Sequence, residues 1–103
     1  FLDVDHFKNI NDTYGHQTGD LVLKRMTTLI KEQVRACDIV ARYGGEEFVV
    51  ALPTTMPSAA YEIAERLRQA ICLTTLSFHD KQFKVSISIR FTLAFFPGLT
   101  QFK

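Results

Sequence analysis

Residues 41–52 read ARYGGEEFVVAL, and the fold is read outward from them. On either side of the two glycines, DIVARY (38–43) and EFVVALP (47–53) are apolar, β-branched runs, which predicts an antiparallel hairpin. A tight hairpin turn favours φ > 0 at its centre, where glycine meets no Cβ clash, so Gly44 and Gly45 are expected to adopt it. Glu46 and Glu47 are harder to explain. Adjacent like charges repel and glutamate is a poor turn former, so a solvated acidic turn competes with a functional role.

Upstream, FLDVD (1–5) reads as a strand with Asp3 and Asp5 on one face and Leu2 and Val4 on the other. HFKNINDTYGHQTGD (6–20) is polar and turn-rich, predicting one short helical turn and then a loop broken at Gly15. From His16 to about Arg35 a helix is expected, since Val22, Met26, Leu29, Ile30 and Gln33-Val34 form one stripe. Downstream, Pro53 and Pro57 bracket a loop. Pro57 suits the first turn of a helix over about 58–72, with Ala60, Ile63, Ala64, Leu67, Ala70 and Ile71 on one face. FKVSISIRFTLAFF (83–96) then predicts one strand. The order is β-α-β-β-α-β. The expected class is therefore α+β: a ferredoxin-like or palm-type antiparallel sheet with helices packed on it. Such a layout licenses no function by itself.

The chain has 103 residues, 47% hydrophobic and 22% charged, which fits one globular domain with little stability in reserve. A formal net charge of +1 argues against a general nucleic-acid or membrane-surface binder. Apolar runs such as FVVAL (48–52) are far shorter than a membrane span. Cys37 and Cys72 have neither metal-ligand spacing nor the density of a disulfide scaffold. With no signal peptide visible, a cytoplasmic setting is expected, including the cytoplasmic part of a larger, membrane-anchored protein. The chain opens at Phe1 inside a strand, and RFTLAFFPGLTQFK (90–103) stays apolar to its end. Both ends are read as cut or altered, with a domain over 1–90 and a divergent tail over 91–103.

Several residues could carry chemistry. If the first strand lies beside the hairpin, Asp3 converges with Glu46 and Glu47. Clustered carboxylates repel unless a cation neutralises them, and Mg²⁺, with ligands at about 2.0–2.1 Å, keeps positions open for phosphate oxygens. Mn²⁺ suits oxygen ligands equally. The competing reading is that each acid is simply solvated. Asn11 and Asp20 suit N-caps or recognition of a base. A carboxylate accepts from both the N1–H and the exocyclic amine of guanine; adenine would leave it unpaired at a cost of ~1–3 kcal/mol. Lys8 could serve a phosphate. Arg35 and Asp38, with Arg66 on the later helix, form an ordinary ion pair at a helix end or a clamp for a phosphate and a guanine edge.

Together these residues resemble the GGDEF family of diguanylate cyclases, which bears on the paired glutamates. GGEEF (44–48) is a common variant of the motif that names the family. DVDHFKNINDTYGHQTGDLVL (3–23) is similar to its other signature block, and Arg35-Ala36-Cys37-Asp38 stands five residues before Gly44, like the family's product-inhibition motif. The resemblance covers roughly residues 1–90. It implies that two GTP condense to cyclic di-GMP and pyrophosphate between two such domains, a homodimer, with Mg²⁺ or Mn²⁺ bound. By the same resemblance, Asp3, Glu46 and the Val4 carbonyl would bind the cations, and Glu46 or Glu47 would assist deprotonation of the attacking 3′-hydroxyl. Asn11 and Asp20 would read guanine with His16 nearby, and Phe7 and Lys8 would line the phosphate region. Gly44 and Gly45 would admit the triphosphate close to the backbone. Arg35, Asp38 and Arg66 would form an inhibitory site for cyclic di-GMP, and a sensory or regulatory domain would accompany this one.

The chain also departs from the family. The LTGLxNR-like opening block and the C-terminal helix region with its basic residues are absent, and Ser88-Ile89-Arg90 stands where Ser-Ile-Gly is usual. The alternatives to a cyclase are a catalytically impaired module that binds GTP or cyclic di-GMP, and a remnant that does neither.

Overall fold

A computed structural model describes residues 1–92. Its elements are β1 (Leu2–Val4), α1 (Phe7–Tyr14), α2 (His16–Gln33), β2 (Ile39–Arg42), β3 (Glu47–Ala51), α3 (Pro57–Leu73), β4 (Leu76–Phe78), β5 (Lys81–Phe83) and β6 (Ile87–Ile89). The main sheet has the order β2-β3-β1-β6, antiparallel at each pairing, so β1 is central. That is the expected ferredoxin-like arrangement, with a separate β4–β5 hairpin inserted before the last strand.

The sheet buries the side that the period of two assigns to it. Leu2, Val4, Phe48 and Ile87 meet Val22, Leu23, Met26, Leu29 and Ile30 of α2 and Leu67 and Ile71 of α3 in one core. Asp3 and Asp5 fall on the opposite face of β1 from Leu2 and Val4, as expected. The predicted stripes of α2 and α3 hold. Val22, Met26, Leu29 and Ile30 are buried, as are Ala60, Leu67 and Ile71, while Ile63, Ala64 and Ala70 on the same face of α3, and Gln33-Val34 at the end of α2, are half-buried; Pro57 occupies the first turn of α3.

Three expectations change. First, α1 is a helix of 8 residues rather than one short turn. Its polar composition hides a stripe in which Phe7 and Ile10 are buried and Tyr14 packs against the core. Second, the glycines of the hairpin do not take positive φ; among described glycines Gly15 alone does, at 92°. The connection is four residues long, and Tyr43 N–H and Gly44 N–H both donate to the Glu47 carbonyl (2.8 and 3.4 Å), so it closes without a left-handed residue. Third, the stretch read as one strand from 83 splits into β5 and β6, separated by Lys84–Ser86. Its continuation past residue 92, and with it most of the expected tail over 91–103, lies outside the described residues.

Candidate active site

β1 carries the first acid and delivers it to the hairpin. Asp3 stands opposite Glu47 in the β1–β3 register, and Val4 N–H, at the end of the strand, donates to the Glu46 carbonyl at 3.3 Å. Asp3 Oδ1 is buried with no hydrogen-bond partner. Burial, then the Asp3 carboxylate beside it, then the Glu47 charge push the Glu46 carboxyl above the usual glutamate range. The three acids therefore feel one another. Among the described residues no group of three or more His, Cys, Asp or Glu side chains is assembled for a metal; at this end of the sheet the unpartnered buried oxygen is Asp3 Oδ1. A buried, unpartnered carboxylate oxygen beside a second acid fits a hard divalent cation, which binds oxygen and offsets the repulsion. A cleft of about 180 Å³ opens here, lined by Phe1, Leu2, Asp3, Glu47, Ser88, Ile89 and Arg90.

One participant was not legible as such. Asp5, on the same face as Asp3, accepts hydrogen bonds from Ser86 Oγ and Ser88 Oγ, each at 2.6 Å. Burial alone would raise its carboxyl; the two hydroxyls and the nearby His6 outweigh that and hold it lower than usual. Asp5 thus ties β6 to the end of the acidic strand. The alternation Ser86-Ile87-Ser88 opposite Asp3-Val4-Asp5 was the available signal.

After β1 the chain turns through His6, whose φ of 56° is left-handed, and enters α1 with no side-chain cap. The first N–H groups of a helix lack internal acceptors, so this end favours an anion. Phe7 begins the helix with its ring buried in the core, which leaves only its backbone for a ligand, and Lys8 is exposed beside it. Asn11 lies one turn on, its Oδ1 buried and unpartnered. Past Gly15, exposed His16 opens α2 and exposed Asp20 follows four residues on, beyond the first turn. Gly44 and Gly45 sit exposed at the hairpin tip. A Cβ on Gly45 would meet nothing within 4 Å and one on Gly44 only Glu47, at 3.7 Å or more. Neither packing nor backbone angle requires glycine there.

Arg35 and Asp38 form a separate site on the far end of α2. Arg35 Nε and Nη2 grip the carboxylate, with Nη2 2.8 Å from Oδ1, and Arg35 N–H donates to Oδ2 at 2.7 Å. These bonds from Arg35 hold Asp38 below the usual aspartate range and Arg35 above its own. Thr55 Oγ1 accepts a further bond from Arg35 and donates to the Pro53 carbonyl. The pair lines a cavity of about 470 Å³ with Lys31, Val34, Ala36 and Val40. Arg66 is not among the lining residues; its Nη2 donates to the Gln33 carbonyl at 2.8 Å, two residues from Arg35.

Residues 1–101 match the family described as Diguanylate cyclase, GGDEF domain. The chain is 49% identical over 88 residues to Diguanylate cyclase A of Treponema denticola, covering 85% of this chain and 24% of that protein. It thus spans about a quarter of that relative's length. The fold is similar to diguanylate cyclase SiaD of Pseudomonas aeruginosa, solved in complex with its activator SiaC. The TM-score is 0.80 and the identity 37%, over 84% of this chain and 34% of that one. It is also similar to the GGDEF domain of DgcB from Caulobacter crescentus in complex with c-di-GMP. There the TM-score is 0.79 and the identity 34%, over 84% and 53% of the two chains.

Proposed function

This chain belongs to the GGDEF diguanylate cyclase family, and from that premise we propose that it is a catalytic domain condensing two GTP molecules into cyclic di-GMP and pyrophosphate. The observation that carries the proposal is the unpartnered Asp3 Oδ1 beside Glu46, whose carboxyl is pushed above its usual range by burial and the Asp3 charge. A Mg²⁺ or Mn²⁺ ion held by Asp3, Glu46 and the Val4 carbonyl would neutralise phosphate charge and polarise the reacting phosphorus. The chain's own residues do the rest. The uncapped start of α1, at Phe7 and Lys8, and the Lys8 ammonium receive phosphate oxygens. Gly44 and Gly45, which the fold itself does not require, leave room for the triphosphate beside the backbone. Asn11 and Asp20, near His16, read guanine. The proton of the attacking 3′-hydroxyl passes to Glu46 or Glu47.

One domain presents one nucleotide, so the reaction needs a second copy facing the first, and dimer formation is part of the mechanism. Arg35 and Asp38, with Arg66 beside them, bind the product and restrain the enzyme. We place the domain in the cytoplasm, under the control of a sensory or regulatory domain. Among the described residues, no helix is long and apolar enough to cross a membrane.

Incubating the purified chain at high concentration with GTP and Mg²⁺, and resolving the products by chromatography, tests the reading. Cyclic di-GMP establishes the cyclase. Folded protein that forms none overturns the enzyme claim and leaves the second reading, a cyclic di-GMP binding module. That reading is favoured by the cavity at Arg35 and Asp38, which is larger than the acidic cleft.

A further inference from the structure

α1 and α2 meet where Gly19 faces the Asn11 side chain. A Cβ placed on Gly19 would lie 1.8 Å from Asn11 Oδ1, 3.0 Å from Asn11 Cγ and 3.2 Å from Phe7 Cζ. Every one of those atoms belongs to a side chain, and the nearest is the tip of a carboxamide. Gly19 is a buried residue inside a helix, where alanine would ordinarily be preferred by about 1 kcal/mol. Its φ lies outside the left-handed range, so backbone conformation does not call for glycine. The absent side chain is replaced by the end of Asn11.

The seat has a cost. Asn11 Oδ1 lies there buried and without a hydrogen-bond partner, a state that natural interiors rarely tolerate unless it serves something else. With the oxygen held against Gly19, the amide nitrogen is the end left to face a ligand, and Asp20 is the very next residue on α2.

We propose that Gly19 is a positioning residue for base recognition: the space left by its missing Cβ seats the Asn11 carboxamide, fixing it relative to Asp20 so that both meet one guanine. This rests on the guanine reading given above. Gly19 touches no nucleotide itself; it acts through Asn11. The alternative is that Gly19 merely lets two helices pack, and the two roles separate experimentally. A bulkier residue at 19 in a pure packing role lowers stability and leaves base preference alone. In the positioning role the carboxamide rotates aside, the fold survives, and base preference goes.

The test uses the full chain and three variants, Gly19→Ala, Asn11→Ala and the double substitution. Each is titrated calorimetrically with non-hydrolysable GTP and ATP analogues in Mg²⁺, alongside its thermal midpoint. Gly19→Ala is expected to fold and to bind the GTP analogue about ten-fold or more weakly, the loss of one buried hydrogen bond. Affinity for the ATP analogue, which depends on phosphate contacts, is expected to hold. The double variant is expected to match Asn11→Ala, because the second change has nothing left to displace. Unchanged GTP preference in Gly19→Ala, or fully additive losses in the double variant, overturns the proposal. Should Gly19→Ala not fold, the double variant is compared with Asn11→Ala: equal affinity for the GTP analogue supports the positioning role, and a further loss, or failure of the double variant to fold, overturns it. A wild-type chain that folds but binds neither analogue overturns the guanine reading itself, and this inference with it.

Discussion

Asp3 stands directly opposite Glu47 across the β1–β3 ladder, and the next ladder bond, Val4 N–H to the Glu46 carbonyl, fixes the other glutamate at the same strand end. Backbone pairing alone therefore brings like charges together, at an energetic cost the fold must carry until something positive arrives.

Glu46→Gln should stabilise the free protein at neutral pH while abolishing cyclic di-GMP formation. Because the folded-state pKa of Glu46 is raised, its penalty is absent below the ordinary glutamate range and grows as pH climbs from there through the raised value. Solvent screening limits the gain to under about 1 kcal/mol. Melting curves across pH should show wild type and variant coinciding at the acid end and separating above it. Coincidence throughout would remove the repulsion argument, and normal turnover by the variant would remove Glu46 from the mechanism.

Added Mn²⁺ or Mg²⁺ should raise the melting temperature of the wild type at neutral pH, and chelation should reverse it. Saturation at a hundred times the dissociation constant corresponds to about 2.7 kcal/mol. Asp3→Asn should lose most of this response because it halves the charge of the pair. A variant responding as strongly as wild type would place the cation elsewhere.

Arg35→Ala should weaken cyclic di-GMP binding by about ten-fold or more, the loss of a bidentate charged contact, while sparing GTP. Calorimetry with both nucleotides decides it, and unchanged product affinity would sink the inhibitory-site reading. The pair also leaves a pH signature. Asp38, with its carboxyl held low by Arg35, contributes stability that is present above the ordinary aspartate range and lost as pH falls through the lowered value. Asp38→Asn should therefore flatten the acid side of the melting profile.

Replacing His79 and Asp80 by Asn-Gly should raise stability by about 1 kcal/mol. Both residues take positive φ, 49° and 68°, in the two-residue turn between β4 and β5, the geometry for which Asn-Gly is preferred. Equal or lower melting temperature would mean that His79 or Asp80 makes a compensating contact.

That turn also shows where the sequence was hard to read. The main sheet was legible because its strands alternate and its hairpin is punctuated by glycines, and α2 and α3 because their stripes are long. The β4–β5 hairpin was missed: two strands of three residues carry too little periodicity, and His-Asp signals a left-handed turn far more weakly than Asn-Gly. α1 was shortened because Asn9, Asn11, Asp12 and Thr13 are weak helix formers. Its stability comes from burying Phe7 and Ile10, a tertiary gain invisible to local propensity. At the site, Asp3 and the two glutamates could be placed together from strand order. The partnership of Asp5 with Ser86 and Ser88 left only the alternation of Ser86-Ile87-Ser88 as a signal, since it spans 81 and 83 residues of chain.

The tie between Phe1 and Arg90 has a kinetic consequence. Arg90 N–H donates to the Phe1 carbonyl at 2.8 Å, joining residues 89 positions apart, and β1 lies between two strands that both come later in the chain. During synthesis, β1 leaves the ribosome before either strand it pairs with, and waits. Its apolar side, Leu2 and Val4, has no sheet to enter until β3 has left the ribosome, and no second neighbour until β6 has. Contacts of this span close slowly, since the loop entropy is lost before they reward it. The strand bearing the first acid is thus made before both of its neighbours and completed only with the later one, and a chain halted before Ile87 would expose it to aggregation.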